Sequence, residues 1–240
     1  ITLRDGSPAP SDKATLVLNL QDMSASAVGS APLATRTSPA GSFPQSFTLK
    51  FDPAQVVAGD LYVVQVLLTD GERQYTMAMQ VPVLAPNSKN DAVQIELIAQ
   101  QTPAEKLLAE FHKVEQQLGG MKISNGTKLE ADVSRGWQVF REAGEVKFIR
   151  EDADYGDKGY TRTDYAYKNG RPWVVVQESK AGRNAKPTAI DRAGWVDDGS
   201  LLLRQHEAGG SVETLDGASA AKLKKQGEAI LKLATNGKGK

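Results

Sequence analysis

The chain has 240 residues, 40% hydrophobic and 24% charged, an ordinary globular composition long enough to bury one large or two small cores. It carries no cysteine, which excludes disulfides, thiol catalysis and Cys-based zinc sites. Its zero net charge divides into 6 Lys+Arg against 9 Asp+Glu over residues 1–100 and 23 against 20 over residues 101–240, and neither half has the basic excess of a nucleic-acid binder.

From Thr15 the pattern alternates, with Leu16, Leu18 and Leu20 on one face of a strand that Asp22 and Ser24 break. An Ala/Ser/Gly/Pro stretch runs from Ser24 to Gly41, with one short edge strand expected near Ala34–Thr37. Phe43, Phe47, Leu49 and Phe51 share a parity and predict another strand. Leu61 to Thr69 is apolar on nearly both parities, as a central strand is. Asp70-Gly71 marks a hairpin turn, Tyr75, Met77, Met79 and Val81 read as the next strand, and Val93, Ile95 and Leu97 close the set. Six or seven short strands at this spacing predict an antiparallel β-sandwich. Strand parity alone accounts for the Phe and Met stripes as core packing, against the alternative of a hydrophobic ligand groove.

Gln101 to Leu118 predicts a helix. Thr102 stands as N-cap, Pro103 at the first helical position and Glu105 completes a capping box, followed by Leu107, Leu108, Phe111, Val114 and Leu118 at helical spacing. Gly119-Gly120 ends it. This helix opens the second of two expected domains, 1–100 and 101–240. Strands are expected at Lys122–Ser124, Lys128–Val133, Gly136–Arg141 and Glu145–Arg150. Asn169-Gly170 joins Tyr160–Lys168 to Pro172–Ser179, and Asp197-Asp198-Gly199 joins Ile190–Val196 to Ser200–His206. Asp216-Gly217 leads into a final helix with Leu223, Ile230 and Leu231 on one face. The fold class expected is mainly β with two helices (α+β): a sandwich, then an antiparallel meander flanked by helices.

Leu20-Gln21-Asp22-Met23-Ser24, an Ala/Pro-rich loop, Phe47-Thr48-Leu49-Lys50-Phe51-Asp52-Pro53 and Tyr62-Val63-Val64-Gln65-Val66-Leu67-Leu68 together resemble the YbaY/YscW group of bacterial lipoproteins over about residues 12–85. The resemblance implies an immunoglobulin- or transthyretin-like sandwich facing the periplasm on an outer-membrane lipoprotein. It also implies a non-enzymatic role, since some members are pilotins, small chaperones that deliver a secretin to the outer membrane. The chain opens at Ile1 without Met, signal peptide or lipobox, as expected of a mature or truncated form whose lipid anchor lies outside it. That anchor would be its only tie to a membrane, because no apolar run has the length of a span.

No catalytic, cofactor or metal site is expected, and the remaining alternative is an enzyme with an unrecognised site, which a cleft holding His206 with a carboxylate would favour. The run Glu151-Asp152-Ala153-Asp154-Tyr155-Gly156-Asp157 fails the calcium-loop register and reads as a solvated loop between strands. His112 and His206 have no nucleophile or acid at a diagnostic spacing, and no G-x-S-x-G elbow is present. Two binding surfaces remain. An envelope-protein partner is expected to pair with the edge formed by Leu33, Ala34, Thr35, Arg36 and Thr37, or to dock on the adjoining Ser24–Ser30 loop. A glycan or peptidoglycan is the alternative partner, stacking on Tyr160, Trp173 and Trp195. Tyr165 and Tyr167 share a parity pointing to a covering helix, whereas Tyr160 has the opposite parity and is expected to be exposed.

Overall fold

The computed structural model describes residues 1–24, 29–84 and 93–235, and divides into two compact units, Ile1–Thr102 and Pro103–Lys240. Together they are mainly β with two helices.

The first unit is a seven-stranded sheet: β1 (Thr2–Leu3), β2 (Thr15–Asp22), β3 (Ala34–Pro39), β4 (Tyr62–Asp70), β5 (Arg73–Met77), β6 (Val81–Val83) and β7 (Glu96–Ala99). The order is β1-β7-β5-β4-β2-β3, with β6 also on β4, and every pairing is antiparallel except β1 with β7. Alternation puts Leu16, Leu18 and Leu20 of β2 opposite Leu68, Val66 and Val64 of β4, so one sheet face is a continuous apolar layer, buried with Tyr62, Tyr75 and Leu97.

Two local readings change. The strand expected over Phe43–Phe51 is absent, and this stretch is an irregular strap. Its backbone bonds go elsewhere than a ladder: Gln45 N donates to Ile1 O (2.9 Å) and the Ile1 amino group to Gln45 O (2.8 Å). The Phe43, Phe47, Leu49 and Phe51 side chains still pack on the sheet core, so the strap and the sheet enclose the apolar layer between them. The strand read through Tyr75–Val81 breaks after Met77 into β5 and β6, leaving Met79 exposed. At that break the Val66 amide, which faces away from β2, donates to the Met77 sulfur at 3.2 Å.

The second unit begins with α1 (Pro103–Gln116). A strictly sequential antiparallel meander follows: β8 (Lys122–Glu130), β9 (Val133–Glu142), β10 (Glu145–Asp154), β11 (Tyr160–Lys168), β12 (Arg171–Lys180), β13 (Pro187–Trp195), β14 (Leu201–Ala208) and β15 (Ser211–Glu213). It ends with α2 (Gly217–Ala234), capped by Asp216 accepting from Ser219 N at 2.9 Å. Asn169 and Gly170, at φ 53° and 71°, turn the β11–β12 hairpin as that dipeptide predicts. The two expected strands at Lys122–Ser124 and Lys128–Val133 are instead one strand, β8, and a turn.

The helices cover opposite faces of the sheet. Phe111, Leu107 and Leu108 of α1 pack on Phe140, Phe148, Ala166, Val174 and Leu203, while Leu223 and Ile230 of α2 pack on Val139, Ile149, Tyr165, Tyr167, Val175 and Trp195. Neighbouring residues such as Phe148 and Ile149, or Val174 and Val175, are thus buried on opposite faces. α2 comes closest at Gly227, where an added Cβ would lie 3.0 Å from Pro172 Cβ, and Tyr167 donates its hydroxyl to Gly227 O at 2.7 Å.

The acidic run is a loop only from Tyr155 to Asp157, where the chain turns from β10 to β11. Glu151, Asp152 and Asp154 continue β10, where Glu151 and Asp152 are neutralised from neighbouring strands and Asp154 accepts from Gly156 N at 2.9 Å. Glu151 accepts from Arg135 (2.8 Å) and from the buried Tyr165 hydroxyl (2.8 Å), and Asp152 accepts from Arg162 (2.9 Å). Cross-strand arginines let a strand carry carboxylates that an isolated segment could only solvate.

Candidate partner-binding edge

β3 ends the first sheet, and among the described residues only β2 pairs with it. Which of its backbone groups are free follows from one bond. Ala40 N donates to Ala14 O at 2.8 Å, in the register that pairs Thr15 with Pro39 and Leu16 with Ser38. In an antiparallel ladder a residue sends its N–H and C=O to the same side, and its neighbours send theirs to the other. Ala34, Arg36 and Ser38 therefore bond to β2, while Thr35 and Thr37 aim both backbone groups outward. Pro39 has the outward parity but no N–H, so the open edge is short and stops at a proline.

The five residues expected at this edge thus have unlike roles. Leu33 precedes the strand, donates its N–H to Leu20 O (2.9 Å) and packs with Ala34 against the core. Arg36 reaches across and donates to Thr48 O at 2.9 Å, tying the strap to the edge. Thr35 donates its hydroxyl to Asn19 Oδ1 at 2.9 Å on the opposite face. Of these five, only Thr35 and Thr37 offer main chain with no ladder partner among the described residues, a distinction that needs the neighbour's position and that side-chain periodicity cannot supply. Of the adjoining Ser24–Ser30 loop, residues 25–28 lie outside the described residues.

The aromatic surface expected for a glycan does not form. Tyr160 is 4% exposed and Trp195 6%, the latter under the Lys224 ammonium, 5.2 Å from its ring. Trp173 is half-buried on the α1 side, because the register shift opposite Ala166 and Tyr167 makes it the extra residue of a bulge. Tyr160 does have the parity opposite to Tyr165, as read, but it is buried rather than exposed. Trp195 became core beneath α2, whereas Tyr160 is buried outside both helix-covered clusters.

His206 Nδ1 lies 2.6 Å from Asp191 Oδ1, its direct partner across β13 and β14, and this contact raises its pKa. Its other cross-strand neighbour is Glu213, so both residues directly opposite it are carboxylates. His112 Nδ1 lies 3.3 Å from Glu115 of its own helix. Among the described residues no group of three or more His, Asp and Glu could hold a metal ion. No helix is long and apolar enough to cross a membrane.

The family model of YscW, described as a type III secretion system lipoprotein chaperone, matches residues 1–97. The resemblance read from residues 12–85 therefore holds, and the match extends it to the β1 and β7 ends of the first sheet. Among solved structures the chain is similar to an alternative pilotin from the type II secretion system of Vibrio cholerae, at 21% identity and a TM-score of 0.36, covering 42% of this chain and 91% of that one. No curated protein matches.

Proposed function

We propose that this protein is a non-enzymatic, chaperone-type lipoprotein of the bacterial envelope, pilotin-like in action, whose first unit holds an extended segment of an envelope protein against the edge of β3. The observation that carries the reading is the YscW family match over residues 1–97. The open main chain of Thr35 and Thr37 supplies the surface. A partner strand added there would exchange backbone hydrogen bonds with those two residues, and its alternate side chains would meet Arg36 on one face and Thr35 and Thr37 on the other. Strand addition of this kind draws affinity from main chain and selectivity from the few side chains beside it. The reading places the protein facing the periplasm, held at the outer membrane by a lipid attached upstream of Ile1.

The test is Thr35→Pro/Thr37→Pro. The substitution removes both outward N–H groups and leaves the inward bonds of Ala34, Arg36 and Ser38 to β2 in place. Capture of partners from detergent-solubilised envelopes should fall at least tenfold while circular dichroism stays that of the parent. A photo-crosslinking residue at Thr37 should join the same partner. Unchanged capture by a folded variant would show that the edge is not the binding surface.

A further inference from the structure

The second sheet has a longer open edge. β8 carries nine residues, almost all exposed, and pairs only with β9 among the described residues. The other edge, β15, has three. Its free groups can be traced from one bond. Tyr155 N donates to Gly159 O (3.0 Å), continuing the register in which Ala153 faces Thr161. The odd residues of β10 therefore bond to β11 and its even residues to β9. Even residues of β9 pair with even residues of β10, so its odd residues face β8, where they meet Ser124, Gly126 and Lys128. Ile123, Asn125, Thr127 and Leu129 are left with N–H and C=O pointing away from the sheet.

We infer that β8 pairs with β8 of a second copy of this chain, antiparallel about a two-fold axis through Gly126. Three properties of Lys122–Glu130 choose this partner and this register. First, the register places outward-bonding residues opposite each other, Ile123 with Leu129 and Asn125 with Thr127, each pair formed twice. Second, Ile123 and Leu129 are 50% and 84% exposed, two large apolar side chains on the same face of the edge, and they become cross-strand neighbours. Third, Lys122 falls opposite Glu130 at both ends. Glu130 already binds Lys128 (2.6 Å) and Arg135 (3.4 Å) on its own chain, so the arriving ammonium completes a cluster around one carboxylate.

The neighbouring registers lose these matches. Moving the axis to Asn125 sets Lys122 against Lys128, and moving it to Thr127 sets Leu129 against Asn125. Pairing β8 with a neighbour's β15 would use only three residues and would propagate head to tail. Gly126 suits the axis position for its own reason. A Cβ there would lie 2.4 Å from the Trp137 ring, so only glycine lets that indole lie across the edge strand.

The chain should sediment at twice its 25.8 kDa mass at tens of micromolar concentration. Thr127→Pro, which removes an outward donor and no inward one, should return it to a monomer with unchanged circular dichroism. Register is read separately, using the absence of native cysteine. Ser124→Cys and Lys128→Cys chains, mixed and oxidised, should give a disulfide-linked mixed dimer, because these residues face each other as a non-hydrogen-bonded pair at disulfide distance. Ser124→Cys alone should not crosslink. A monomer at all concentrations overturns the inference. A dimer that survives Thr127→Pro, or that crosslinks Ser124→Cys to itself, overturns it equally.

Discussion

Arg150→Met tests how the second unit tolerates charge on its α1 side. Arg150 Nε and Nη2 donate to the two oxygens of Asp164 at 2.8 and 2.6 Å, and Nη2 also reaches Glu115 of α1 at 2.9 Å. The side chains are 26% and 12% exposed. The two partners' pKa shifts pull in different senses. Asp164 holds Arg150 above the usual guanidinium range, yet burial raises Asp164 above the usual carboxylate range despite the guanidinium. Both describe one pair in which attraction and desolvation nearly balance, as half-buried pairs do. Removing one partner of a buried pair costs about 3–5 kcal/mol; with a quarter of the guanidinium exposed, we discount this to about 2–3 kcal/mol. Arg150→Met/Asp164→Val should recover to within about 1 kcal/mol of the parent, because the stranded carboxylate has gone. Urea denaturation followed by tryptophan fluorescence isolates this unit, since Trp137, Trp173 and Trp195 are the chain's only tryptophans. The pH dependence has a definite sign. A carboxyl whose folded pKa lies above its unfolded value binds protons more readily when folded, so its ionisation costs stability as pH rises. Loss of Arg150 removes the main force opposing that shift, and the single variant's deficit should shrink between pH 7 and pH 5. A double variant no better than the single one, or an equal deficit at both pH values, would refute the reasoning.

Ala143 has φ 50° in the β9–β10 turn, a left-handed conformation that strains a Cβ. Ala143→Asn would recreate the Asn-Gly turn used at Asn169-Gly170 and should raise stability by about 0.5–1 kcal/mol in the same urea assay. The His206 pKa, raised first by its hydrogen bond to Asp191, should titrate above the ordinary histidine range by NMR and fall back in Asp191→Asn. Its contribution to stability is fully present below the unfolded pKa and disappears as pH rises through the folded one.

Much of this architecture was already written in local patterns. The Leu16-Leu18-Leu20 alternation, the apolar run of β4, the Asn169-Gly170 turn and the Pro103 helix start each follow from backbone sterics and side-chain periodicity within a few residues. The YscW resemblance lay in the same stretches, because order and spacing of short motifs survive without three-dimensional information. Parity could say that Tyr160 and Tyr165 point to opposite faces. It could not say that α1 and α2 cover both faces, which put Trp195 in the core and left Trp173 half-buried. Nor could it separate a strand from the strap at Phe43–Phe51, since apolar alternation needs only an apolar layer to lie on and not a ladder to join. The acidic run of β10 looked like a loop because its compensating charges, Arg135 and Arg162, come from neighbouring strands. The open edges depended most on tertiary structure. Side chains alternate between faces while backbone groups alternate between neighbours, so the availability of Thr35 and Thr37, or of Ile123 and Leu129, is decided only when the adjacent strand takes its side.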